Sequence, residues 1–203
     1  MQRSAVILAG GFSRRFGKDK GLVVLAGKPL VLHVIERVYN IVEEIVVVVS
    51  SKDQKEKFEI LLEKKAKLVI DKNESQSPLV GAMTGFESAQ GEFSLLLPCD
   101  TPLVSTQIVQ FLLDMCTDRS AAIPRWPSGY IEPLQAAYHT KSALAAAKTA
   151  LEQRNMNMRS MIDNLRGVRY VSTMVLEQME PELLTFFNIN IPQDLKRAES
   201  LLK

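Results

Sequence analysis

Cysteine and histidine are scarce in this chain of 203 residues: there are two of each, Cys99, Cys116, His33 and His139. Two separated cysteines build no disulfide framework. The four residues together lack zinc-site spacing. No Ser-His-Asp set or cysteine nucleophile stands out, and both histidines read as structural. Excess charge is also missing. Lys and Arg number 25 against 23 Asp and Glu, a net charge of +2, so nothing global points to nucleic acid or membrane. No apolar run is long enough to span a bilayer, and the N-terminal one is too short for a signal peptide, so the expectation is a cytoplasmic protein. Repeats and low-complexity tracts are absent as well. What remains is 46% hydrophobic and 24% charged, the composition of a globular domain with ample chain to bury a core.

Apolar runs and amphipathic segments alternate along the chain. Strands are predicted over 4–8, 44–50, 67–70 and 93–97. The second of these carries four consecutive valines, Val46 to Val49, as a strand buried on both faces would. Helices are predicted over 29–42, with Pro29 in the first turn, over 52–64, 78–89 and 105–116, the last capped by Ser105 or Thr106. The charge run over 52–65 reads as a solvated helix face. The second half is less regular. Strands are expected over 121–123, 132–138, 168–173 and 185–190, and helices over 141–153, 155–166 and 192–202. Met156, Met158 and Met161 read as core or groove filler. This order implies an α/β fold, doubly wound, with a mostly parallel sheet flanked by helices, in which ligands bind beyond the carboxyl ends of the strands. No linker is visible, so 1–203 is read as one domain, a first half over 1–117 and an elaboration over 118–203.

Three candidate sites fall at strand carboxyl ends. The first strand runs into Leu8-Ala9-Gly10-Gly11-Phe12-Ser13-Arg14-Arg15-Phe16-Gly17-Lys18-Asp19-Lys20. Glycines let the backbone turn and approach a ligand closely, and successive amides in such a turn converge on an anion. The arginines and lysines add positive charge where phosphate would sit. The stretch is not a P-loop, because five residues separate Gly11 from Gly17 and Asp19 follows Lys18. Nor is it a Rossmann fingerprint, because Gly10 and Gly11 are adjacent. A plain glycine turn with a solvated basic loop is the competing reading.

Asp100, in Pro98-Cys99-Asp100-Thr101-Pro102, follows another strand. A carboxylate facing a basic glycine loop suits Mg²⁺, which takes one or two carboxylates plus substrate phosphates; a turn cap is the alternative. Asp71 ends a third strand, and Pro78-Leu79-Val80-Gly81 opens a helix whose N-terminus has free N–H groups. These residues hold part of a nucleotide or form a capped surface loop. Asn188 and Asn190, two apart, would share one face of the predicted strand and offer carbonyls to a metal or ligand. For Asn190 alone, capping the turn into the helix at Pro192 is the favoured reading. Arg125, Trp126, Tyr130 and Glu132 would line an acceptor pocket or form a surface hairpin. A phosphate acceptor is already ionised and needs no strong base, so alignment and charge neutralisation would suffice.

The motif Leu8-Ala9-Gly10-Gly11-x-Ser13-x-Arg15-Phe16-Gly17-x-Asp19-Lys20 resembles the signature of molybdenum cofactor guanylyltransferases. Later pieces agree in order: Asp71, Pro78-Leu79-x-Gly81, Pro98-Cys99-Asp100-Thr101-Pro102, Glu132-Pro133-Leu134 and Asn188-Ile189-Asn190-x-Pro192-x-Asp194-Leu195. The resemblance implies transfer of GMP from GTP to a molybdopterin-type cofactor, with release of pyrophosphate and dependence on Mg²⁺. It implies that 1–117 binds the nucleotide and 118–203 the acceptor. By position, Leu8, Ala9, Gly10, Gly11, Asp71 and Gly81 would contact the nucleotide, and Arg15 and Lys20 would hold the triphosphate. Asp100 would bind both GTP and Mg²⁺, and Asn188 and Asn190 would face the acceptor or the metal. Partner proteins that deliver the cofactor or receive the product are compatible with it; nucleic acid and membrane are not expected. Ser50 stands where the family often has Asn, and Ile191 where it often has Thr. The Gly10-Gly11 pair, where cytidylyl relatives often carry Ala-Gly, leans toward GTP. The alternatives are a cytidylyltransferase for the same cofactor, a guanylyltransferase for a small phosphorylated acid such as phospholactate, and a non-catalytic GTP-binding module.

Overall fold

The computed structural model describes residues 2–13, 15–63, 65–71 and 77–202. Its first half alternates strand and helix. Strand β1 (Arg3–Leu8) is followed by a small antiparallel pair, β2 (Phe12–Ser13) with β3 (Lys18–Asp19), and then a 3-10 turn at Lys20–Leu22. A second small pair, β4 (Val24–Leu25) with β5 (Lys28–Pro29), leads into α1 (Leu30–Val38). Then come β6 (Glu44–Val49), α2 (Lys52–Leu62), β7 (Lys67–Ile70), α3 (Pro78–Ser88) and β8 (Phe93–Pro98). The second half holds α4 (Thr106–Met115), β9 (Ala121–Arg125), β10 (Ala136–His139), α5 (Thr140–Glu152) and α6 (Met158–Asp163). It ends with β11 (Val168–Ser172), α7 (Thr173–Glu177), a 3-10 turn at Leu184–Phe186, and α8 (Pro192–Leu201).

Seven strands form one sheet in the order β11-β9-β10-β8-β1-β6-β7. β8, β1, β6 and β7 run parallel, β10 is antiparallel to both of its neighbours, and β11 is parallel to β9. The predicted mostly parallel, doubly wound sheet is therefore present. Side-chain alternation sorts the strands onto two cores. Ala5, Ile7, Val47, Val49, Leu95 and Leu97 pack with α1, α2 and α4 on one face. Val6, Val46, Val48, Leu96 and Tyr138 pack with α3, α5 and α6 on the other. Helix α1 buries Leu30, Val31, Val34, Ile35 and Val38, the stripe that a 3.6-residue period puts on one side. A third, smaller cluster joins Val23, Leu25 and Leu30 to Leu103, Ile189 and Ala198, and so fastens α8 against the segment after the glycine loop.

Several elements differ from the sequence expectation. Pro29 closes β5 and flanks α1 rather than entering its first turn. Glu132 to Gln135 form a turn, with Gln135 N–H donating to the Glu132 carbonyl at 3.3 Å, so the strand begins only at Ala136. The expected strand over 185–190 is a 3-10 turn followed by extended backbone outside any ladder. Met158 and Met161 are buried, whereas Met156 is 36% exposed and fills no core.

Helix α3 lies close on the sheet because Gly85 has no side chain. A Cβ there would run into Val6 Cγ1 and come within 3.3 Å of Val48 Cγ2. Gly85→Ala should therefore destabilise the protein. Overpacking costs about 1–3 kcal/mol, more than the ~1 kcal/mol that alanine gains in helix propensity. The expected result is a lower urea midpoint with an unchanged slope.

Candidate functional site

The carboxyl ends of β1, β6, β7 and β8 open onto one cleft of about 370 Å³. Of the residues singled out from the sequence, Leu8, Gly10, Gly11, Lys20, Asp71, Gly81 and Asp100 line it, together with Ser50, Ser77, Cys99 and Leu134. Strand ends place Leu8, Ser50, Asp71, Cys99 and Asp100, and the start of α3 places Ser77 and Gly81. The Ala9 N–H donates to the Val48 carbonyl at 2.8 Å, which extends the β1–β6 ladder by one residue and leaves the Ala9 side chain fully buried. The Cys99 N–H donates to the Leu8 carbonyl at 3.0 Å, and the Asp71 N–H to the Val49 carbonyl at 2.8 Å. The glycine loop then closes on itself: the Lys20 N–H donates to the Gly11 carbonyl at 3.0 Å.

Lys20 is the centre of the site. Its ammonium donates to Asp100 Oδ2 and, at 2.7 Å, to Asn190 Oδ1. The other oxygen, Asp100 Oδ1, is buried and, among the described residues, the single buried side-chain polar atom with no hydrogen-bond partner. A buried carboxylate oxygen in that state suits a cation. Asp71 accepts from Thr84 Oγ1 at 3.5 Å on the opposite side of the cleft. Beside it, α3 begins with a capped end, Val80 N–H donating to Ser77 Oγ at 3.3 Å. Gly81 sits where a Cβ would press on Leu8 Cδ2 at 3.3 Å and stand 3.9 Å from Asp71 Oδ2.

Other predicted residues lie elsewhere. Arg15 is exposed in the turn between β2 and β3 and does not line the cleft; Arg14 is outside the described residues. Asn188 and Asn190 share no strand face. Asn190 reaches Lys20, while Asn188 Nδ2 donates to the Phe186 carbonyl at 3.1 Å. Asn190 does not cap α8: Ile191 stands at its N-cap, and Asp194 in the first turn accepts through Oδ2 from the Asn190 and Ile191 N–H groups at 2.8 and 3.0 Å. The segment 126–132 is a hairpin turn. Trp126 Nε1 donates to Glu132 Oε1 at 2.8 Å, its ring meets Phe186 edge-on at 5.7 Å, and Tyr130 is 63% exposed. His33 is tied to the Leu25 carbonyl at 2.9 Å and His139 caps α5, both structural roles. Burial pushes the thiols of Cys99 and Cys116 up, the latter to about 12, so neither is a nucleophile at neutral pH.

Sequence reading passed over Gln54 and treated Asp19 only as part of a charged loop. Both are buried behind the loop, with Gln54 Nε2 donating to Asp19 Oδ1 at 2.7 Å. The signal was available in Ser51-Lys52-Asp53-Gln54, a Ser-x-x-Gln helix start.

Residues 5–168 match the family model described as the MobA-like NTP transferase domain. The chain belongs to that family. It is 33% identical over 200 residues to the probable molybdenum cofactor guanylyltransferase of Methanosarcina acetivorans, covering 96% of this chain and 88% of that protein. It is 30% identical over 202 residues to the molybdenum cofactor guanylyltransferase of Desulfosudis oleivorans, covering 98% and 96%. The crystal structure of molybdopterin-guanine dinucleotide biosynthesis protein A from Archaeoglobus fulgidus superposes with a TM-score of 0.83 at 29% identity, covering 98% of each chain. As a member of this family the chain is a nucleotidyltransferase. Among the described residues no helix is long and apolar enough to cross a membrane.

Glu132 gives a pH-dependent test of the hairpin's packing. Burial raises its carboxyl pKa, and the Trp126 hydrogen bond only partly opposes this. A carboxyl whose folded pKa is raised contributes stability that is present below the unfolded value and lost as pH rises through the folded one. Glu132→Gln keeps an acceptor for Trp126 and removes the charge. It should melt higher than the parent at pH 7, with the gap closing below pH 4.5, the ordinary value for this carboxyl.

Proposed function

We propose that this protein transfers GMP from GTP to a molybdopterin-type cofactor, forming the guanine dinucleotide cofactor and pyrophosphate. The observation that carries the reading is the pairing of Lys20, at the end of the glycine loop, with Asp100, at the end of the neighbouring strand, over a carboxylate oxygen left without a partner. The guanylyl and molybdopterin parts of the reading follow the named activity of the relatives.

The transfer needs little covalent help from the chain. A phosphate oxygen of the acceptor attacks the α-phosphorus of GTP; the bond from that phosphorus to the bridging oxygen breaks, and pyrophosphate leaves. A phosphate monoester is largely ionised at neutral pH, with a second pKa of about 6, so no general base is required. Catalysis is then alignment and charge neutralisation. Gly11 borders the cleft, and a Cβ there would meet no protein atom within 4 Å, so the space beside it is open to the triphosphate. Lys20 neutralises phosphate charge. Asp71 and the capped start of α3 border the nucleoside end of the cleft. Leu134 lines the cleft two residues beyond Glu132 and faces the acceptor side.

Asp100 would hold Mg²⁺ through the unpartnered Oδ1, with the Asn190 amide oxygen close by on Lys20. The ion would supply electrostatic stabilisation of charge on the transferring and leaving phosphates. A single carboxylate is consistent with a cation that takes its remaining ligands from substrate and water.

Pyrophosphate release should require GTP, Mg²⁺ and the molybdopterin acceptor together, and Asp100→Ala should lower its rate by roughly 10²–10³-fold. The check is turnover with GTP, CTP and ATP against a panel of phosphorylated acceptors, the product being identified by mass. A preference for CTP, transfer to phospholactate instead, or GTP binding without any pyrophosphate release would each overturn the reading.

A further inference from the structure

Asp19 and Lys20 are adjacent but face opposite ways. Lys20 enters the cleft, whereas the Asp19 side chain turns back and is 8% exposed. There Asp19 accepts from Gln54 Nε2 at 2.7 Å and from Lys57 Nζ at 3.4 Å. Gln54, 6% exposed, uses its other end as well: Gln54 Oε1 accepts from the Ser50 N–H at 2.8 Å. Ser50 Oγ in turn donates to the Gly10 carbonyl. A continuous chain of hydrogen bonds therefore runs from Gly10, where the loop leaves β1, through Ser50 and Gln54 to Asp19, where the loop returns.

Gln54 is suited to this place because it must donate at one end and accept at the other. In a capping box, the glutamine at the third helical position accepts from the capping residue's own N–H. Here Ser51 caps α2 by accepting from Gln54 N–H at 3.1 Å, but the Gln54 side chain reaches one residue further back, to Ser50. Burying a primary amide is costly unless both ends are bonded. Packing alone would be met by leucine. Ser50 is engaged through both its N–H and its hydroxyl proton, so it ties Gln54 to the start of the loop.

We propose that Gln54 is a positioning residue for nucleotidyl transfer: acting through Asp19, it holds the loop so that the Lys20 ammonium stands beside Asp100 at the triphosphate. The proposal rests on the nucleotide reading of the cleft. The network also binds the two ends of a loop whose glycines otherwise leave it many conformations.

The test measures GTP–Mg²⁺ binding by calorimetry in four proteins, the parent, Gln54→Leu, Lys20→Ala and the double variant, with kcat and KM for those that turn over. One lost hydrogen bond to a charged group corresponds to roughly tenfold. Gln54→Leu should weaken binding by about that factor in the parent, and by less than about twofold in the Lys20→Ala background, since residues acting through one another are not additive. A second pair of variants guards against misfolding. Q54E alone sets two carboxylates against each other and should lose binding. Adding D19N restores a donor opposite the new carboxylate, which still accepts from Ser50, and should recover most of the loss. Equal loss in both backgrounds, no loss at all, or failure of D19N to rescue Q54E would overturn the positioning role while leaving the nucleotide reading intact. Unchanged GTP binding in Lys20→Ala would instead overturn the phosphate reading and the proposal with it.

Discussion

The Lys20 ammonium lies between the Asp100 carboxylate and the Asn190 amide oxygen, and these contacts bridge 80 and 170 residues of sequence. The two charged side chains are only 21% and 12% exposed. At that depth the desolvation cost of an ion pair offsets much of its attraction, so the pair adds little net stability. Stability comes from elsewhere. Ile189 is fully buried with Val23, Leu25 and Leu30, and its N–H donates to the Asp100 carbonyl at 2.9 Å. This apolar cluster brings the segment before α8 to the end of β8. The polar contacts then fix the angles at which three distant segments meet. The division of labour is ordinary for a binding site: apolar burial assembles it, and charged hydrogen bonds give it geometry.

Sheet topology explains why that meeting point is also a cleft. From β1 the chain builds outward through β6 to β7, then returns to place β8 on the other side of β1. The crossovers on either side of β1 diverge, leaving a crevice beyond its carboxyl end. The glycine loop leaves one wall of that crevice and Asp100 the other. The antiparallel β10 extends the sheet past β8 and brings Leu134, just before it, to the same opening. The first half thus supplies Lys20, Asp71 and Asp100 to the cleft, and the second half adds Leu134 at the same opening.

Strands buried on both faces and helices with caps were readable because their signals are local. The valine run of β6 and the Ser77-Pro78 start of α3 each contain their own explanation. The segment around Asn188 was misread for a physical reason. Its apolar and polar residues alternate as in a strand, but the alternation arises from Ile189 entering the third cluster while the asparagines flank it. Among the described residues the segment pairs with no strand. The β2–β3 pair was invisible because two-residue strands carry no period. Burial of Asp19 was equally hidden: in sequence it sits among four basic residues, and only the approach of α2 turns it inward. The cleft residues at strand ends were therefore legible, while the supports behind them depended on contacts between elements far apart in sequence.

Gly10 shows how the structure reassigns a sequence signal. Read alone, the Gly10-Gly11 pair favours GTP over CTP. In the fold, a Cβ at Gly10 would run into Ser50 Oγ and stand 3.1 Å from the Ser50 N–H, so packing against β6 already requires glycine there. That constraint acts whatever base is bound. Gly11 has no such neighbour, and Gly11 lines the cleft, so the steric freedom that a ligand could use resides at Gly11. The far wall of the cleft is formed by Asp71, Ser77 and Pro78. The loop after β1 is consequently fixed from behind by Ser50 and Gln54, and its open position at Gly11 borders the cleft.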